Sequence, residues 1–219
     1  MLRALIFDMD GTLADSDPIH RAAFGEYLEP HGFKVDEDFY RAKISGRTNA
    51  AILGDLLPAL SPAEIDRLGD EKEALFRRLS PKIPQVGGLG AFLDRVSTLP
   101  LRLAVVTNGP RVNLDHMLEA LGLAGRFEVN LAREDVARGK PDPLPYLTAL
   151  ERLGVGAGEA LAFEDSPSGM RAAKAAGLFS FGVLTGLTAD EMTGLGTDRT
   201  IETFRDAGLW EILESRLSA

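Results

Sequence analysis

The sequence predicts an α/β fold: a parallel sheet interrupted after its first strand by a block of helices. Three observations lead there. Ala4-Leu5-Ile6-Phe7 is a short, wholly apolar run stopped by Asp-x-Asp-Gly, the pattern of a strand covered on both faces. Three later runs repeat it, Leu101 to Val106, Ala160 to Phe163 and Phe179 to Leu184, with helical patterns between them. From about residue 16 to residue 82 that rhythm breaks, and only helical periodicity remains.

Each element has its own signal. The first strand ends at Asp8-Met9-Asp10-Gly11. The insert carries helical patterns over Ile19 to Leu28, Ala50 to Leu57 and Ala63 to Leu79, the last introduced by the helix-start signal Ser61-Pro62-Ala63-Glu64. Its hinges fall at Asp15 to Pro18 and at Pro81 to Gly88, the second rich in Pro and Gly. After Pro110, Leu114, Met117, Leu118 and Leu121 recur at helical spacing, and Gly122 suits a C-terminal cap. Ser166-Pro167 opens another helix through Met170, Ala173 and Ala176, which stops at Gly177. The expected organisation is a Rossmann-like core of residues 1–15 and 83–219 with a helical insert, residues 16–82, after the first strand.

Bulk properties narrow the function. The chain has 219 residues, 45% hydrophobic and 26% charged, enough for a substantial core in one or two domains. The absence of cysteine excludes thiol catalysis, zinc ribbons and iron–sulfur clusters, and fits a cytoplasmic protein. The first eight residues reach a charge too early for a signal peptide, and no run of about 18 apolar residues exists to span a membrane. A net charge of −9 would repel a nucleic-acid backbone, so the expected partner is a small molecule.

Ligands in open α/β sheets bind beyond the carboxyl ends of the strands. There this sequence places Asp8 and Asp10, then Thr107 and Asn108 at the mouth of a helix where free amides favour an anion, then Glu164 and Asp165. Lys140 stands in a proline-held loop, Gly139-Lys140-Pro141-Asp142-Pro143. Several carboxylates in one cleft repel one another unless a hard divalent cation lies among them, and an all-oxygen set favours Mg2+ over zinc. Mg2+ would turn an acidic cleft into a phosphate site, with Lys140 adding fixed positive charge. Asp8 could then attack phosphorus and form an aspartyl-phosphate. Asp10, two residues on and on the same face of an extended backbone, would protonate the leaving oxygen.

Asp8-Met9-Asp10-Gly11-Thr12-Leu13, Val105-Val106-Thr107-Asn108-Gly109, Gly139-Lys140-Pro141-Asp142-Pro143 and Phe163-Glu164-Asp165-Ser166 stand in this order along nearly the whole chain. In these four segments the chain resembles the haloacid dehalogenase superfamily, in its helical-cap phosphatase and β-phosphoglucomutase branch. The resemblance implies Asp8 as nucleophile and metal ligand, and Asp10 as acid/base that also ligates the metal through its carbonyl. It implies Thr107, with Asn108 beside it, for phosphoryl oxygens, Lys140 for Asp8 and the transferred group, and Glu164 and Asp165 for Mg2+. The insert becomes a cap that excludes water and reads the substrate.

Within the cap, His20 is either an active-site contact, as in β-phosphoglucomutase-like relatives, or a surface histidine. Arg47, on the loop Ser45-Gly46-Arg47-Thr48, either grips a second anionic group of the substrate or is an ordinary exposed arginine. Lys43 is the weaker candidate beside it. Asn108 has the alternative of capping the helix after Pro110. The leading expectation is a Mg2+-dependent phosphatase acting on a small phosphorylated metabolite such as a sugar phosphate. Phosphoryl return to the sugar, as in β-phosphoglucomutase, is the alternative, and a phosphate-binding regulator is the non-enzyme alternative. Asp10 argues against dehalogenation and phosphonate cleavage, whose enzymes in this superfamily lack the second acid.

Overall fold

The computed structural model describes residues 1–218. It contains two compact units: Met1–Asp15 together with the chain from Pro84 onward, and Ser16–Ile83. The chain runs through β1 (Ala4–Phe7) into the second unit, with α1 (Asp17–Leu28), α2 (Glu37–Lys43), α3 (Asn49–Leu56) and α4 (Pro62–Leu79). It returns through α5 (Leu89–Val96), β2 (Arg102–Val106), α6 (Arg111–Ala120), β3 (Val129–Leu131), α7 (Leu144–Leu153) and β4 (Ala160–Glu164). It then continues through α8 (Pro167–Ala175), β5 (Phe179–Val183), α9 (Ala189–Gly194), β6 (Arg199–Ile201) and α10 (Ala207–Leu217).

The six strands form one parallel sheet in the order β3-β2-β1-β4-β5-β6. The chain steps outward from β1 to β2 and β3, then crosses back through α7 to β4 on the other side of β1. That reversal puts the topological switch point between β1 and β4, and β1 and β4 end in the acids read from the sequence.

Alternation along the strands explains both faces. Ala4 and Ile6 of β1, with Ala104 of β2 and Ala162 of β4, belong to one buried cluster with Tyr146 and Ala149 of α7 and Ala173 of α8. Small strand residues let these helices approach closely. The opposite face carries an aromatic ladder: Phe7 is in register with Phe163 and Phe163 with Phe181, with ring centroids 4.8 and 5.1 Å apart. Burial of rings of this size contributes on the order of 2 kcal/mol each.

Strands β3 and β6 are additions to the four strands expected. Each has three residues, too few for an apolar run to register, and β6 begins with an exposed Arg199 and ends with a buried Ile201.

In the second unit, Ser61 and Glu64 form a capping box: Ser61 Oγ accepts from the Glu64 N–H, and the Glu64 carboxylate accepts from the Ser61 N–H at 2.8 Å. Phe24 and Leu28 of α1, Ile52 and Leu53 of α3, and Leu68 of α4 share its core with Tyr40 of α2. Helix α2, not expected from the sequence, is capped by Asp36, whose side chain accepts from the Phe39 N–H. The chain leaves and re-enters the first unit through paired segments, with the Asp15 N–H on Pro84 O at 2.9 Å and the Val86 N–H on Leu13 O at 3.0 Å.

Candidate active site

Strand β1 delivers Asp8. Its N–H donates to Phe163 O of β4 at 3.0 Å, so its backbone is held against the strand that ends in Glu164. Met9 and Leu13 are buried, and the chain doubles back through Gly11, whose N–H reaches Ala14 O at 2.8 Å. Gly11 has φ +69°, a conformation L side chains rarely adopt, and a Cβ there would stand 2.1 Å from Asp165 Oδ2. The turn therefore needs glycine twice, once for its backbone and once for the acid lying on it.

Lys140 lies at the centre. Its Nζ donates to Asp8 Oδ1 at 2.6 Å, Glu164 Oε1 at 2.5 Å and Val106 O at 2.7 Å, so the three ammonium protons have three acceptors. It is buried, as are Asp8 and Glu164. The loop that presents it is fixed by Asn108, whose Oδ1 accepts from the Lys140 N–H at 2.8 Å while its Nδ2 donates to Lys140 O at 3.0 Å. Gly139 lets Asn108 in, since a Cβ there would meet Asn108 Oδ1 at 2.6 Å. Asn108 thus spends one amide proton and its carbonyl on the lysine loop. The helix after it, α6, begins from Pro110 with no side-chain cap. Thr107 is buried at the end of β2, and its Oγ1 accepts from the Gly109 N–H at 2.9 Å, which leaves the hydroxyl proton to donate elsewhere.

Glu164 is fully enclosed. Oε1 accepts from Tyr146 Oη at 2.6 Å as well as from Lys140, and Oε2 accepts from Ser166 Oγ at 3.2 Å. Ser166 also caps α8 through the Gly169 N–H at 3.1 Å. A Cβ on Gly169 would fall within about 2 Å of the carboxylate, at 1.9 Å from Oε1. Ligand oxygens of Asp8, Glu164 and Asp165 lie within 4.8 Å of one another.

The electrostatics follow from one lysine among buried acids. Burial raises the Asp8 carboxyl most, Lys140 pulls it back, and Glu164 and Asp10 push it up again, to about 8. Burial disfavours the Lys140 charge, yet Asp8 and Glu164 hold its ammonium above the ordinary range. The acid cluster is therefore short of positive charge.

The cap candidates lie in the other unit. The His20 ring is stacked on Phe76 with centroids 4.1 Å apart, and its Nδ1 is 2.9 Å from Nζ of the buried Lys72. Arg47 bonds Lys43 O at 3.0 Å, Ala51 O at 3.1 Å and the Asp55 carboxylate, so its donors brace the turn between α2 and α3. Sequence reasoning missed Tyr146 and Gly169. Tyr146 sits on the apolar face of α7 and reads as core, and Gly169 carries no signal beyond its place in the first turn after Ser166.

A family model described as haloacid dehalogenase-like hydrolase matches residues 5–183. The chain belongs to the haloacid dehalogenase-like hydrolases. Among relatives of this hydrolase, the validoxylamine A 7'-phosphate phosphatase of Streptomyces hygroscopicus subsp. limoneus is 34% identical, over 84% of the chain and 87% of the relative. The phosphorylated carbohydrates phosphatase of Thermotoga maritima is 35% identical, over 81% and 82%. The crystal structure of CbbY from Rhodobacter sphaeroides in complex with phosphate superposes with a TM-score of 0.81 at 30% identity, covering 95% of this chain and 97% of that one. The β-phosphoglucomutase of Clostridium difficile has the same fold, with a TM-score of 0.82 at 21% identity over 100% and 98% of the two chains. The hydrolase is thus an enzyme of the phosphatase or phosphomutase kind. Among the described residues no helix is long and apolar enough to cross a membrane.

Proposed function

We propose that this enzyme is a Mg2+-dependent phosphatase that hydrolyses a small phosphate monoester, a sugar phosphate or similar metabolite, through an aspartyl-phosphate on Asp8. The observation that carries the reading is Lys140 Nζ, 2.6 Å from Asp8 Oδ1 and 2.5 Å from Glu164 Oε1 at the switch point of the sheet. A lysine so placed positions the nucleophile and carries charge for the phosphoryl group. Relatives named as phosphatases of phosphorylated carbohydrates and of validoxylamine A 7'-phosphate support the substrate class.

Asp8 must be a carboxylate to attack, yet its protein surroundings alone push it up to about 8. A hard dication fits that deficit and the all-oxygen donor set. Asp8, Glu164, Asp165 and the Asp10 carbonyl would hold it. Bound there, Mg2+ supplies positive charge that keeps Asp8 ionised and offsets the charge of the phosphoryl oxygens.

In the first step an Asp8 oxygen forms a bond to phosphorus while the bond from phosphorus to the alcohol oxygen breaks, and Asp10 gives that oxygen its proton. In the second, Asp10 takes a proton from water as the water oxygen attacks phosphorus. The Asp8–phosphorus bond breaks, and inorganic phosphate leaves with Asp8 ionised and Asp10 protonated again. Thr107 Oγ donates to a phosphoryl oxygen. Lys140 does so by releasing one of its three present acceptors. Asn108 serves the same site through its grip on the lysine loop. The helical unit selects the substrate, with His20 and Arg47 as the residues to examine.

A panel of sugar phosphates, phosphoglycolate, nucleotides and pyrophosphate, with and without Mg2+, tests this reading. Stoichiometric, Mg2+-dependent release of free phosphate supports it. Isomerised sugar phosphate without release would replace it by phosphoryl return to the sugar, and no turnover of any ester would favour a phosphate-binding regulator.

A further inference from the structure

Tyr146 has no part in the steps above, yet among the described residues it is the largest fully buried side chain, and its hydroxyl is aimed at the acid cluster. From α7 the Oη donates to Glu164 Oε1 at 2.6 Å, the same oxygen that takes Lys140 Nζ at 2.5 Å. Lys140 Nζ also lies 5.2 Å from the centre of the Tyr146 ring, so one residue touches both sides of this ion pair. Burial first, then the Glu164 and Asp8 charges, raise the phenol well above its ordinary range, which keeps it a donor.

We propose that Tyr146 is a positioning residue, whose hydroxyl secures Glu164 Oε1 so that Glu164 keeps its orientation toward the cation whether or not Lys140 remains bonded to it. Hydrogen-bond supply decides which acceptor Lys140 can release. Lys140 has three protons and three acceptors, so reaching a phosphoryl oxygen means giving one acceptor up. Asp8 Oδ1 ties the lysine to the proposed nucleophile, and Val106 O fixes the amine against β2. Glu164 Oε1 alone of the three has a second side-chain donor in place. It is therefore the acceptor that can be released without leaving a buried carboxylate oxygen bare. Oε2 has only Ser166 at 3.2 Å and is left for the cation.

The inference rests on the function proposed above, and its test separates the two. Tyr146→Phe removes only the hydroxyl. Mg2+ binding is followed calorimetrically on the substrate-free enzyme, alongside kcat, the substrate KM and the apoenzyme melt. The expected result is a Mg2+ Kd raised about 5- to 50-fold and kcat lowered about tenfold, with the substrate KM within about twofold of wild type, as expected for loss of one hydrogen bond to a charged group. A Mg2+ Kd and kcat equal to wild type overturn the proposal, even if the melt drops. Should Tyr146→Phe lose its cooperative melt, Tyr146→Met is measured in the same way, and wild-type Mg2+ affinity there overturns the proposal too. If wild-type enzyme itself neither binds Mg2+ nor releases phosphate, the function proposed above fails instead.

Discussion

Lys140 Nζ lies 2.6 Å from Asp8 Oδ1, across 132 positions of sequence, and this pair organises the site. Asp8 comes from the end of β1 and Lys140 from a loop clamped to Asn108 beyond β2, so the contact depends on sheet register and loop geometry together.

Removing the lysine should be severe. Lys140→Met leaves Asp8 and Glu164 buried without their cation, a loss of about 3–5 kcal/mol for a broken buried pair. Phosphate release at saturating Mg2+ is expected to fall about 10²- to 10³-fold. Lys140→Arg should not rescue it, because a planar fork cannot satisfy three converging acceptors. Steady-state kinetics of both variants check this.

Asn108 separates a clamp from a phosphate ligand. Since its Oδ1 and one Nδ2 proton serve the Lys140 main chain, Asn108→Ala is expected to lower kcat roughly tenfold with little change in substrate KM, the pattern of an interaction that acts on the chemical step. A rise in KM at unchanged kcat would contradict the clamp.

Gly169→Ala inserts a Cβ 1.9 Å from Glu164 Oε1. The carboxylate must move, so Mg2+ affinity is expected to drop more than tenfold, by analogy with other displaced outer partners of metal ligands. Gly158→Ala, whose Cβ would meet nothing within 4 Å, is the matched control. Calorimetric Mg2+ titration of both distinguishes a local effect from a general cost of alanine.

The fold was legible where an apolar run ended in chemistry or a helix carried its own start signal, whereas α5, α7, α9 and α10 were not read from the sequence. The apolar runs of β1, β2, β4 and β5 needed no context, because strands covered on both faces have few polar positions. Edge strands β3 and β6 form because β2 and β5 offer them open hydrogen-bonding edges, a tertiary effect invisible in three residues. Asp8, Lys140, Glu164 and Asp165 were readable because acids and a lysine stand where strands and a proline-held loop end. Tyr146 was not, since one hydroxyl on an apolar helix face looks like core until its partner across the fold is known. Arg47, expected as a substrate grip or an ordinary exposed arginine, braces its own turn through Asp55 and two carbonyls, contacts that no local sequence pattern announces.

The helical unit should show an acid-linked stability term. Burial opposes the Glu73 charge, but Lys72 at 2.9 Å and then His20 hold its carboxyl below the ordinary 4.5. A depressed acid stabilises the fold above its unfolded value, and that contribution fades as pH falls below 4.5 through the lower folded value. Glu73→Gln is therefore expected to lower stability at pH 7 and to converge on wild type in acid, where Glu73 is itself neutral. Urea midpoints for both proteins across this range give the comparison.

The central claim is that Asp8 carries the phosphoryl group. Enzyme turning over a sugar phosphate with Mg2+ can be quenched in acid, digested and its peptides weighed. The account predicts one added phosphoryl group on the peptide containing Asp8, absent from Asp8→Asn, which also releases no phosphate. Full turnover by Asp8→Asn, or a phosphoryl group found on any other residue, would contradict it.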